Sequence, residues 1–127
     1  MKLLSLCAIL CMVTPVSVGE VALTVDRVQR VEAVCFMDEW YVALISEPIY
    51  LRSEGEKLSK EVKDRIKQRL GVDCYVTIDV GLYYAIKEAK ASDTRYQKLL
   101  KISEIFKDRC LNERHINYQS QKTGVST

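Results

Sequence analysis

Few side chains in this chain of 127 residues can do covalent or acid–base chemistry, and their spacing closes most routes to it. His115 is the one histidine, and it lies in a polar C-terminal tail. A Ser-His-Asp or Cys-His relay needs its histidine on the folded core, oriented by a third group. Cysteines fall at 7, 11, 35, 74 and 110, with no spacing that resembles a zinc knuckle. Beyond Gly19, glycines fall only at 55, 71, 81 and 124, so there is no glycine-rich phosphate loop. Glu54, Glu56, Glu61 and Asp64 belong to the wet side or the cap of a helix. Asp38 and Glu39 sit at a hairpin tip, with too few oxygen donors nearby to hold calcium. These residues indicate no enzyme, no cofactor and no metal. What remains is Cys35, Cys74 and a set of amphipathic aromatics, and their meaning depends on the elements that position them.

The first twenty residues, MKLLSLCAILCMVTPVSVGE, have the layout of a secretory signal. Lys2 precedes an apolar run from Leu3 to Val13, and no acidic residue appears before Glu20. The run is too short for a comfortable membrane span. Ser17 and Gly19 form a small-x-small pair, which places cleavage between Gly19 and Glu20. A lipoprotein signal is the alternative. Cys7 follows Leu6 and Cys11 follows Leu10, both poor sites, but lipidation of Cys11 would attach the protein to a membrane. Removal of residues 1–19 takes away Lys2 alone and leaves 18 basic and 17 acidic residues. That balance argues against a nucleic-acid partner. Export permits disulfides, and three remaining cysteines leave one unpaired.

Residues 20–91 read as one small domain, and 92–127 as a helix with a polar tail. Val21, Val25 and Val28 recur at helical spacing, which suggests a short helix near 21–30. VEAVCFMDEWYVALIS reads as a hairpin, with strands 31–37 and 40–46 around Asp38-Glu39. Pro48 ends the second strand. The clearest helix is 53–70. Leu58, Val62, Ile66 and Leu70 mark one apolar stripe, Ser53 and Glu56 form an S-x-x-E capping pattern, and Gly71 suits a C-terminal cap. VDCYVTIDV then alternates as a half-buried strand, with Cys74, Val76, Ile78 and Val80 on one side and Tyr75, Thr77 and Asp79 on the other. Asp79 or Gly81 starts a helix with Leu82, Ile86 and Ala89 on one stripe. Ser92 or Asp93 caps a last helix, lined by Tyr96, Leu99, Ser103, Phe106 and Cys110.

This order predicts an α+β fold: a three-stranded sheet in an α-β-β-α-β order, helices on one face, and a C-terminal helical extension closing an end or an edge. The first strand is expected between the other two. Cys35 then lies near one strand's end and Cys74 near the other's beginning. A cross-strand disulfide fits that order, and two buried thiols packing as small apolar groups fit it too. Trp40, Tyr41 and Tyr75 are expected to form a partner surface if they share an uncovered sheet face.

VDRVQRVEAV, WYVALI and LSKEVKDRIKQRLGVDCYVTIDVGLYYAIKEA resemble segments of the YhcN/YlaJ sporulation lipoprotein family, whose exported precursors carry a domain similar to a BON domain. The resemblance spans roughly residues 21–90 and reads WYVALI as the central strand. It implies a role in the spore envelope, in germination or outgrowth, by binding an envelope or spore protein rather than by chemistry. An envelope or lipid-binding BON-like domain unrelated to sporulation is one alternative. A secreted enzyme or inhibitor with an unrecognised site is another.

Overall fold

The computed structural model describes residues 13–109. Helix α1 spans Pro15–Leu23. A hairpin of β1 (Val28–Phe36) and β2 (Glu39–Ser46) follows. Helix α2 (Arg52–Leu70) leads into β3 (Cys74–Thr77), and α3 spans Val80–Lys90. A last helix, α4, runs over 95–109. The fold is α+β, built on one three-stranded sheet.

Strand order is β1-β2-β3, so β2 is central and not the first strand. β2 pairs antiparallel with β1 and parallel with β3. The composition of WYVALI accounts for this. It is apolar at every position, and a strand buried on both faces needs that. β1 carries Arg30, Glu32 and the exposed Cys35, which suit an edge.

Two cores lie on opposite faces of the sheet. Trp40, Val42 and Leu44 of β2 point to one, with Val18 and Ala22 of α1 and Leu58, Val62 and Ile66 of α2. Tyr41 and Ala43 point to the other, with Leu82, Tyr83 and Ile86 of α3 and Leu99, Ile102 and Phe106 of α4. Helices therefore cover both faces. The C-terminal helices form a second layer, where the sequence suggested an end or edge closure. An apolar stripe shows that a helix packs, but not on which face of a sheet.

The first helix also differs from its expected place. It begins at Pro15, where Thr14 accepts from the Ser17 amide at 3.1 Å and Ser17 Oγ accepts from the Thr14 amide at 2.8 Å. Such a reciprocal cap followed by proline favours helix initiation. The valine-rich run after residue 24 becomes strand, as β-branched side chains prefer. The expected junction Gly19–Glu20 consequently falls inside α1, between the fully buried Val18 and Ala22.

Local signals elsewhere took mixed forms. Gly71 caps α2 in the left-handed conformation, φ 73°. The Ser53–Glu56 capping pattern does not act as one. Helix α2 starts at Arg52, its N-cap is Leu51, and no side chain caps it. The hairpin closes tightly, with Phe36 opposite Glu39 and only Met37 and Asp38 between them. Both have positive φ, 50° and 64°, as a two-residue turn of this hand requires.

Candidate functional site

Among the described residues β3 has a strand neighbour on one side only, and its surroundings show it. Tyr75, Val76, Thr77 and Ile78 are all half-exposed, on both faces alike, whereas their counterparts Tyr41, Val42 and Ala43 in β2 are buried. Face-independent exposure is the mark of an open strand edge. Along that edge lies a groove of about 920 Å³, within the range of specific ligand sites. Its floor is the segment from Cys74 to Asp79, that is β3 and the two residues after it. One wall is the flank of α2 that carries Glu56, Ser59, Lys60 and Lys63. The loop from Ile49 to Leu51 and the side chain of Arg109 close its ends.

Sequence and packing explain each wall. Helix α2 turns Leu58, Val62 and Ile66 to the sheet, so residues on its β3-facing side stand over the groove. Gly55 lets the first turn approach closely: a Cβ there would meet Ile78 Cδ1 at 2.6 Å. The loop after β2 is held from below. Glu47 N donates to Arg27 O at 2.8 Å, and Arg27 Nη2 donates to Pro48 O at 3.2 Å. This leaves Tyr50 89% exposed and Leu51 60% exposed at the groove mouth.

Asp79 joins the groove to the second layer. Its Oδ1 accepts from the amides of Gly81 at 2.7 Å and Leu82 at 3.3 Å, capping α3. Its other oxygen meets Arg109 of α4. The Arg109 hydrogen bond foremost, with the two amides, holds the Asp79 carboxyl below its usual range. Asp79 is thus a structural carboxylate, already engaged. Tyr41 is tied down similarly: its hydroxyl donates to Glu39 Oε2 at 2.8 Å, and burial with that bond raises its pKa. Lys107 completes this cluster at 3.2 Å from Glu39, and Tyr41 and Lys107 keep Glu39 low.

The expected aromatic surface does not form. Trp40 and Tyr41 are neighbours on a strand and point to opposite, buried cores. Tyr41 is covered by stacking on Tyr75 at 5.3 Å and by the edge of Phe106 at 5.3 Å. Only Tyr75 of the three keeps an accessible edge, and it lines the groove. The disulfide does not form either. Cys35 is opposite Trp40, and Trp40 is opposite Cys74 on its far side. Two strand spacings put the cysteines roughly 10 Å apart, beyond the ~7 Å Cα limit for a bridge. Both are free thiols. Burial pushes the Cys74 thiol up to about 12, which makes it a poor nucleophile. Cys11, Cys110 and His115 lie outside the described residues.

Among the described residues, no three His, Cys, Asp or Glu side chains converge on a metal site. None of their helices is long and apolar enough to cross a membrane. Comparison with family models, curated proteins and solved structures finds no match. The groove residues that the proposed partner would meet, Tyr50, Leu51, Lys57, Lys60 and the half-exposed Lys63, were not singled out by the sequence as a surface. The signal that could have found them is the apolar run Ile49-Tyr50-Leu51 placed in a loop, after Pro48 and before a highly charged helix.

Proposed function

We propose that this protein is an exported, non-catalytic binding module of the cell or spore envelope, and that the groove along β3 is its binding surface. The observation that carries the reading is the groove itself: an open strand edge, exposed Tyr50 and Leu51 at its mouth, and Glu56 and Asp79 held in ion pairs rather than poised for reaction. The resemblance to YhcN/YlaJ proteins supports the envelope and the sporulation context. A BON-like role outside sporulation predicts the same groove but expression in growing cells.

The module retains α1. Cleavage at Gly19–Glu20 would remove the buried Val18 and the Thr14–Ser17 cap. Those losses are worth about 1.5–3 kcal/mol for the valine and about 1 kcal/mol for the cap. Any processing on export therefore falls before Val13. Lipidation of Cys11 would leave α1 whole and attach the module to a membrane.

Two measurements test this reading. The first is fractionation of spores and growing cells, with the intact mass of the recovered protein. It should appear in the envelope fraction with a mass that includes residues 13–23. A cytosolic protein, or one starting at Glu20, contradicts it. The second places a photo-cross-linking phenylalanine derivative at Tyr50, with one at the exposed Tyr84 as control. An envelope protein identified by mass spectrometry should cross-link from position 50 and not from 84. Equal capture from both positions removes the groove from the reading.

A further inference from the structure

We infer that the groove takes an extended, acidic segment of a partner protein, which adds to the sheet as a fourth strand beside β3. The inference rests on the reading of the groove as the binding surface and names what occupies it.

The backbone makes the first case. β3 ends the sheet, and no backbone hydrogen bond outside the β2–β3 ladder satisfies residues 74–77 among the described residues. An open edge presents amide and carbonyl groups that another strand can pair with. The two edges of this sheet are treated differently. β1 is guarded by a register irregularity between Val28 and Arg30, and by Arg30 and Glu32, the latter paired with Lys90 at 3.6 Å. Such bulges and charges oppose strand addition. β3 reads Cys-Tyr-Val-Thr, with no charge, proline, glycine or bulge. Its four residues offer roughly 13 Å of edge, enough for four to six residues of a partner strand.

Charge names the partner's chemistry. The wall of α2 brings Lys57, Lys60 and Lys63 to the groove, with Glu56 and Asp64. Glu56 is paired with Arg52 at 3.5 Å, and Asp79 is paired with Arg109. Among the described residues the three lysines are in no ion pair, and of the groove's carboxylates only Asp64 is likewise outside one. An extended segment alternates its side chains, so carboxylates at every second position would meet the lysines. β-branched residues between them would point to the other face of the sheet, beside Tyr75 and Thr77. Tyr50 at the mouth supplies an aromatic anchor of the type that dominates interfaces.

The test uses the described domain within the full chain, ¹⁵N-labelled, and a synthetic probe, the blocked heptapeptide EVTVEVE. Two N-methylated versions carry the methyl groups on alternate amides, one set on each edge of the peptide. Both keep every side chain and charge. The unmodified peptide should perturb the amides of Tyr75–Ile78 and slow their hydrogen exchange. One N-methyl series should bind about tenfold or more weaker, as loss of one or two backbone bonds implies, and the other within about threefold. Lys60→Gln with Lys63→Gln should weaken binding several-fold at low salt, with the difference vanishing near 1 M salt, where screening is complete within about 3 Å.

Equal binding of both N-methyl series overturns the inference, because the main chain is then not used. So does the absence of perturbation at β3 at about 1 mM peptide, or perturbation confined to other surfaces. If a partner still cross-links from position 50 in those cases, the groove remains the binding surface and only the strand addition falls. If strand addition holds but no envelope protein cross-links there, it is the envelope function that fails.

Discussion

Replacing Asp79 by alanine removes the cap of α3 and the only ion pair described between β3's end and α4. The Asp79 side chain is 30% exposed and that of Arg109 is 51% exposed. Loss of an N-cap acceptor costs about 1 kcal/mol. The half-exposed pair adds about 0.5 kcal/mol once solvent screening is counted. Asp79→Ala should therefore destabilise by about 1.5 kcal/mol, and Asp79→Asn, which keeps an acceptor oxygen, by about 0.5–1 kcal/mol. Arg109→Ala should cost only about 0.5 kcal/mol and should cost nothing further in the Asp79→Ala background. With a urea slope near 1.5 kcal/mol/M for a domain this size, the Asp79→Ala midpoint falls by about 1 M. The pH dependence has a definite sign. The native carboxyl titrates below its usual range, so its contribution is complete above the unfolded value of about 3.9. It is lost as pH falls through the lowered native value. Urea unfolding of the wild type and the four variants at neutral and at low pH makes the measurement. A midpoint shift below about 0.3 M for Asp79→Ala at neutral pH refutes the reasoning. A shift that is undiminished at low pH does so as well.

The hairpin turn should yield to redesign. Met37 and Asp38 both hold positive φ without glycine, and Met37→Asn with Asp38→Gly should stabilise by about 1 kcal/mol, read as a raised thermal midpoint. Thiol titration should find Cys35 reacting in the folded protein and Cys74 only on unfolding, and non-reducing peptide mapping should find no peptide that joins Cys35 to Cys74. Gly55→Ala should change stability by less than about 1 kcal/mol, because the gain in helix propensity offsets the displacement of Ile78. The same substitution should push Ile78 into the groove and weaken binding of the acidic peptide, as a titration would show.

Local features were legible where one residue or one stripe decides them. Leu58, Val62 and Ile66 gave α2, Gly71 its end, and Asp79 the start of α3. The alternation held for Cys74, Val76 and Ile78 against Tyr75, but the strand ends at Thr77, and Asp79 and Val80 become the cap and first residue of α3. Features set by tertiary choice were not. The sequence favours TPVSVG as the end of an export signal, and the same residues form the Thr14–Ser17 cap and first turns of α1, a pairing that the sequence did not suggest. The strand order decided the fate of Cys35 and Cys74, since Trp40 stands between them once β2 is central. The second helical layer, unforeseen because Leu99 and Phe106 could have packed on any apolar face, is what buried Tyr41 and removed the aromatic surface. The groove exists only because β3 is short, lies at an edge and is flanked by α2. None of those three facts is local.

Strand addition at β3 has one signature that no other mode of binding shares. Isotope-filtered NOE spectroscopy of the labelled protein with the unlabelled acidic peptide should give backbone-to-backbone contacts between the peptide and Tyr75–Thr77, spaced at every second residue. Contacts that reach only the side chains of Lys60, Lys63 or Tyr50, with none to the β3 backbone, would contradict it.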